Sequence, residues 1–190
     1  MYEELTNRFV QKAFRYTKAE QERIREAAVF ACESHGKQKR QSGEPYIIHP
    51  YAVAEILISM RMDIDTVIAG LLHDTLEDTP VTFDLLEERF GRTVADLVEG
   101  ETKISTLKVK NKSQQEAETI RKMFFAMSKD VRVIIIKLAD KLHNMRTLKH
   151  LSPVRAREIA NETLDIYAPL ADRLGMSWLK GELEDQSLKI

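Results

Sequence analysis

The sequence predicts an all-α protein. Three observations carry that expectation: apolar residues recur at helical spacing along most of the chain, capping residues precede several of those stripes, and seven glycines and five prolines in 190 residues leave few breaks. Mean helix lengths put about eight to ten helices in a chain of this size. No internal repeat, low-complexity segment or second domain is evident, so residues 1–190 read as one domain.

The elements follow in order. Ala19 to Ser34 forms an amphipathic helix with Ile24, Ala27, Ala28 and Ala31 on one stripe. A polar loop follows, Gly36 to Pro45. Pro50 suits a first helical turn and opens Tyr51 to Met60. Asp63 or Asp65 caps the next helix, which is predicted to run unbroken to about Asp78 and to stop at Thr79-Pro80. Thr82, Leu85, Leu86 and Phe90 mark a short helix closed by Gly91. Val94 to Ile104 is another. Lys108 to Lys112 is a basic loop, and Ser113 to Met127 is helical again. The β-branched run Val131 to Ile136 has strand propensity. Leu138, Leu142 and Met145 continue it at helical spacing, so a helix is expected. Pro153 opens a last long helix to about Leu174.

Composition narrows the class. Hydrophobic residues make up 43% and charged residues 31%, the balance of a globular chain. The net charge of -1 provides no global field to recruit nucleic acid or an anionic membrane. The single cysteine, Cys32, excludes an intramolecular disulfide and any zinc site built on several thiolates. Met1 to Arg15 lacks an apolar signal core, and no apolar run is long enough to cross a bilayer. A cytoplasmic protein with neither a nucleic-acid nor a membrane partner is expected.

The chemistry-bearing segment is Leu71-Leu72-His73-Asp74-Thr75-Leu76-Glu77-Asp78. Residues four apart share a helix face, so His73 aligns with Glu77 and Asp74 with Asp78. Carboxylates crowded beside an apolar run repel one another unless a cation neutralises them. His49 stands at a helix entry in Tyr46-Ile47-Ile48-His49-Pro50, and Asp140 follows Leu138-Ala139 on a mostly apolar helix. Two imidazoles and two carboxylates in the order His…His-Asp…Asp suit a divalent ion such as Mn²⁺, Fe²⁺ or Zn²⁺. Each residue alone has a plainer reading. A His-Asp pair is often a surface ion pair, a lone His49 a capping histidine and Arg40 a loop charge. His143 reads as a hydrogen-bonded structural histidine, His35 and His150 as solvated helix-end residues. Trp178 reads as packing, and Met123, Phe124 and Met127 as core.

That order is the signature of the HD phosphohydrolase superfamily, so the fold class expected is an HD-domain helical bundle. The chain resembles the hydrolase domain of the RelA/SpoT alarmone synthetase/hydrolase family, or a small alarmone hydrolase. The resemblance rests on Arg40-Gln41-Ser42-Gly43-Glu44-Pro45-Tyr46-Ile47-Ile48-His49-Pro50, on His73 to Thr79, on Lys137 to Leu148 and on Tyr167 to Gly175. It covers about Ala19 to Asp185. It implies Mn²⁺ held by His49, His73, Asp74 and Asp140, with Glu77 and Asp78 positioning and deprotonating the attacking water. The implied reaction removes the 3′-pyrophosphate of ppGpp or pppGpp, giving GDP or GTP and pyrophosphate, in stringent-response control. It further implies that Arg40 stacks on guanine, that Ser42, Asn144 and Thr147 contact the nucleotide, and that Lys141 helps neutralise phosphate.

Three positions depart from the family pattern. Lys141 stands where arginine is frequent, Asp172 where histidine or asparagine is common, and Glu101 where an apolar residue is usual. None is an expected ligand, so they bear on substrate preference. The competing readings are another HD activity, such as a deoxynucleotide phosphatase, a cyclic-nucleotide phosphodiesterase or an NADPH 2′-phosphatase, and a non-catalytic nucleotide-binding regulatory domain. The intact Glu77-Asp78 pair favours catalysis. Many relatives carry a synthetase domain after the segment like Leu183-Glu184-Asp185, so the chain is expected to be an N-terminal fragment of a longer bifunctional protein with synthetase and regulatory domains.

Overall fold

Helix α4 (Ile64–Leu72) is the axis of the structure, and its sequence explains why. Every residue from Thr66 to Leu72 is buried, so it must be wrapped on all sides. In the computed structural model, which describes residues 2–105, 120, 121, 123, 125, 127 and 129–190, four helices do the wrapping. They are α2 (Lys18–His35), α3 (Ile48–Ser59), α7 (Arg92–Ser105) and α8 (Arg132–Arg146). The remaining elements are α1 (Tyr2–Gln11), α5 (Thr75–Asp78), α6 (Phe83–Phe90), a 3₁₀ turn (Leu148–His150), α9 (Pro153–Glu162), a π turn (Thr163–Tyr167), α10 (Ala168–Arg173) and α11 (Ser177–Ser187). Among the described residues there is no strand, only an isolated antiparallel bridge between Lys39 and Pro45. The all-α expectation holds, and no described helix is long and apolar enough to cross a membrane.

Local signals account for most boundaries. Thr17 and Glu20 form a reciprocal capping box at the start of α2, and Gly36, at φ +51°, ends it. The side chain of Asp63 accepts from the Thr66 amide at the start of α4, and that of Thr82 from the Leu85 amide at the start of α6. The β-branched run before Leu138 is helical, because α8 is buried along Val133, Ile134, Ile136 and Leu138 and its backbone donors are satisfied internally. Gly70 has a packing role. A Cβ there would lie 2.4 Å from Leu57 Cδ1, so glycine allows α4 to lie close against α3.

The structure departs from the sequence expectations in five places. The predicted helix to Asp78 is broken at His73-Asp74, where His73 Nδ1 and Thr75 Oγ1 take the Gly70 and Leu72 carbonyls. The predicted helix Pro153 to Leu174 contains the π turn Thr163–Tyr167, which ends two residues before Pro169, a residue with no amide to donate. α1 and α11 are not among the predicted helices; α1 is pinned by Phe9 stacking on Tyr51 at 4.8 Å. His35 is 2% exposed rather than solvated, because the chain turns back at Gly36 and lays Tyr46 on it at 4.6 Å. Trp178 is 49% exposed on α11 rather than packed. Met123 is buried and Met127 partly so. The Lys108 to Lys112 loop, most of the Ser113 to Met127 helix and Phe124 lie outside the described residues.

Candidate metal centre and substrate cleft

Three elements aim four residues at a common point. His49 lies in the first turn of α3, His73 and Asp74 in the turn that ends α4, and Asp140 in the middle of α8. His49, His73 and Asp140 each offer a ligand atom, all within 4.8 Å of one another, and all three residues are buried. Asp74 Oδ2 completes the group, 3.1 Å from His73 Nε2 and 3.6 Å from His49 Nε2. His49 Nε2 also lies 3.2 Å from Asp140 Oδ1.

These atoms fit a divalent cation. The Gly70 carbonyl can only accept, so His73 Nδ1, 2.8 Å away, carries the hydrogen and Nε2 the lone pair in the neutral ring. That buried Nε2 has no hydrogen-bond partner; Asp74 Oδ2 approaches it without completing one. A lone pair facing carboxylate oxygens is repulsive unless a positive charge stands between them. In the metal-free cluster a proton serves: burial pushes the His73 imidazole down, but the charges of Asp74, Glu101 and Asp140 overcome it and raise it to about 10. Asp140 is held well below the usual carboxylate range against the opposing effect of burial, chiefly by Lys137 and His49. Lys137 Nζ donates to Glu101 Oε1 at 2.8 Å and to Asp140 Oδ2 at 3.0 Å. With both imidazoles neutral, Asp74, Asp140 and Glu101 against Lys137 leave two negative charges, which a divalent ion would balance.

Around this group lies a cleft of about 790 Å³. Arg40, Ser42, Lys141, Asn144 and Thr147 all line it, so the structure brings the expected nucleotide-contacting residues together beside His49, Asp74 and Asp140. Arg40 Nη2 donates to Asn144 Oδ1 at 3.0 Å, and Asn144 Nδ2 donates to Asp140 Oδ1 at 2.6 Å. Ser42 Oγ donates to Glu44. Thr147 Oγ1 donates to the carbonyls of His143 and Asn144. Lys141 is already engaged, 2.8 Å from Glu162 and 4.5 Å over the Tyr167 ring. Glu77 and Asp78 are not part of the cleft lining; they sit exposed on the short turn α5, one turn past His73 and Asp74. Partial desolvation of its carboxyl by the neighbouring protein, with the charges of Asp78, Glu101 and Asp74, raises Glu77 above its ordinary value.

Sequence reasoning missed Tyr46, whose hydroxyl reaches Asp74 Oδ2 at 2.7 Å and Asp78 Oδ2 at 3.0 Å and so ties Asp74 to the acidic pair. It missed the buried Glu101–Lys137 bridge as well. The signal for that bridge was the unusual acid at Glu101, which needs a cation to be buried. His143 is a hydrogen-bonded histidine, as expected, with Nδ1 2.7 Å from His49 Nδ1. His150 is exposed at the rim. A second cavity of about 770 Å³ is lined in part by α7 and holds no histidine; of its five cations, Arg92, Lys103 and Arg132 are paired with Asp96, Glu99 and Asp130.

The family profile described as "HD domain" matches residues 27–177, which include all four clustered residues. The chain belongs to the HD domain family. HD domains bind a divalent metal, in agreement with the donor set found here. Over 163 residues the domain is 54% identical to the bifunctional (p)ppGpp synthase/hydrolase SpoT of Escherichia coli K12, covering 86% of this chain and 23% of that protein. It is 51% identical over 169 residues to a GTP pyrophosphokinase of Myxococcus xanthus, covering 87% and 22%. It is also 52% identical over 169 residues to the guanosine-3′,5′-bis(diphosphate) 3′-pyrophosphohydrolase of Vibrio cholerae, covering 89% and 24%. The chain therefore spans about a quarter of the length of the curated relatives it matches. A solved structure described as a metazoan ortholog of SpoT that hydrolyzes ppGpp superposes with a TM-score of 0.68 at 26% identity, over 92% of this chain and 97% of that one. The likeness of this HD domain to the RelA/SpoT group is thus borne out.

Proposed function

We propose that this HD domain hydrolyses the 3′-pyrophosphate of ppGpp or pppGpp, releasing pyrophosphate and GDP or GTP, with Mn²⁺ as the cofactor. The observation that carries the reading is the convergence of His49, His73, Asp74 and Asp140 on one point, at the floor of a cleft lined by the Arg40 loop. Relatives that are 54% and 52% identical to this chain over the matched region are named for the same reaction.

His49, His73, Asp74 and Asp140 would hold the ion. When bound, it would polarise a phosphoryl oxygen and lower the pKa of water. The protein's own groups do the rest. Glu77, its carboxyl raised above the ordinary value, accepts a proton from the attacking water as the water oxygen bonds to phosphorus. The bond from phosphorus to the ribose 3′-oxygen breaks, and that oxygen takes up a proton. Asp78, tied to Asp74 through Tyr46, positions the water. Arg40 offers a planar guanidinium to the guanine, Ser42, Asn144 and Thr147 contact the nucleoside, and Lys141 adds positive charge. Flanking synthetase and regulatory domains would belong to a longer protein, and the domain would act in the cytoplasm.

Incubation with ppGpp, NADPH and deoxynucleoside triphosphates in separate reactions tests the assignment. Pyrophosphate and GDP from ppGpp, with no phosphate from the others, is the expected result. Turnover of NADPH or a deoxynucleotide alone would replace it with another HD activity, and turnover of none would favour a binding domain.

A further inference from the structure

His143 sits on α8 within the metal centre but offers no atom to the cluster. Its Nδ1 lies 2.7 Å from His49 Nδ1, a distance that requires one hydrogen between the two nitrogens. Which ring carries it decides what His49 can do. Arg40 Nη1 approaches His143 Nδ1 at 3.4 Å, and a guanidinium has only hydrogens to give. His143 Nδ1 is therefore the acceptor, and His49 Nδ1 the donor. A neutral imidazole with its hydrogen on Nδ1 has its lone pair on Nε2, the atom that faces Asp74 and Asp140.

The opposite tautomer is a real competitor. With the hydrogen on Nε2, His49 would donate to Asp140 Oδ1 at 3.2 Å and satisfy that carboxylate without a metal. It would then have no lone pair to give an ion. The contact admits a single hydrogen between the two Nδ1 atoms, so the tautomer of one ring sets that of the other.

We propose that His143 is a positioning residue that locks His49 in its metal-binding tautomer, with Arg40 holding His143 in the accepting state. The proposal rests on the reading of His49 as a metal ligand. It gives Arg40 a role before any nucleotide arrives: its two ends reach His49 through His143 and Asp140 through Asn144. The loop that binds substrate thereby orders two ligands of the ion.

The test compares His143→Asn with His143→Leu. The two side chains have similar shapes, but only asparagine presents an acceptor near the position of Nδ1. Circular dichroism and thermal melting establish that each variant is folded. Two quantities are then measured: the His49 tautomer in metal-free protein, from ¹⁵N ring shifts, and the Kd for Mn²⁺ by calorimetry. Wild type and His143→Asn are expected to show hydrogen on Nδ1 and comparable Kd. His143→Leu is expected to move the hydrogen to Nε2 and to weaken Mn²⁺ binding about 10- to 100-fold, the usual range for losing a partner of a ligating histidine. A His143→Leu protein with Nδ1–H and wild-type Kd would overturn the proposal. Wild type that binds no Mn²⁺ would overturn the metal reading itself, and this inference with it.

Discussion

Lys137 Nζ lies 3.0 Å from Asp140 Oδ2, and this contact leaves Oδ1 as the oxygen that faces His49. Lys137 is also bonded to Glu101, and all three residues are buried. A cation is thus built into the wall of a site that gathers carboxylates.

Removing that cation strands two buried acids. Lys137→Met is expected to destabilise the fold by roughly 3–5 kcal/mol, the cost of breaking a buried ion pair from one side. Lys137→Met combined with Glu101→Leu should recover part of the loss, since one stranded charge goes with it. Urea denaturation of both variants measures this. Equal stability of the single variant and wild type would show that the triad contributes nothing to folding.

Glu77 is expected to give the pH profile its acidic limb. The base must be deprotonated to act. Its carboxyl is raised above the ordinary 4.5, so activity should begin to fall at a pH above that value as acid is added. Glu77→Ala should lower kcat by about 10²–10⁴-fold with metal still bound, the usual range for a lost general base. A normal kcat in that variant would reject the water-activating role.

Arg40 is predicted to act on nucleotide binding more than on chemistry. Arg40→Ala should raise KM with kcat largely kept, and Arg40→Lys should not restore it, because an ammonium cannot stack as a planar guanidinium does. Steady-state kinetics with ppGpp decide this, and an unchanged KM would count against stacking.

Asp63 joins the start of α4 to α8. Its carboxylate accepts from the Thr66 amide and from Arg132 Nη1 at 2.9 Å. Burial pushes this carboxyl up, but Thr66 and Arg132 outweigh it and hold it below the ordinary 3.8. A depressed folded-state value stabilises the fold above the unfolded value, and that contribution is lost as pH falls through the folded one. Asp63→Ala should cost about 1 kcal/mol at neutral pH, typical of a lost N-cap, and the cost should shrink in strong acid. Thermal melts at several pH values measure it.

The parts legible in sequence are those whose cause is local. The stripe Ile24, Ala27, Ala28 and Ala31, the caps at Asp63 and Thr82, and the helical spacing through Leu142 and Met145 each act within a few turns. The candidate cluster was legible because His49, His73-Asp74 and Asp140 stand in recognisable surroundings. What escaped depends on contacts between distant segments. α1 is held by Phe9 on Tyr51, and His35 is buried by a loop that returns to place Tyr46 over it. The break at His73-Asp74 escaped because the i,i+4 pattern runs through it, while side chains capture the carbonyls. No sequence period reports the Nδ1 contact between His49 and His143, which joins α3 to α8.

The central claim is a metal-dependent hydrolysis at the four converging residues. Protein stripped of metal, then titrated with Mn²⁺ in the presence of ppGpp, tests it most directly when run beside Asp140→Ala. The account predicts no pyrophosphate from the stripped protein, full release of pyrophosphate and GDP near one equivalent of Mn²⁺, and none from Asp140→Ala at that level. Turnover by the stripped protein, or a wild-type rate from Asp140→Ala, would contradict it.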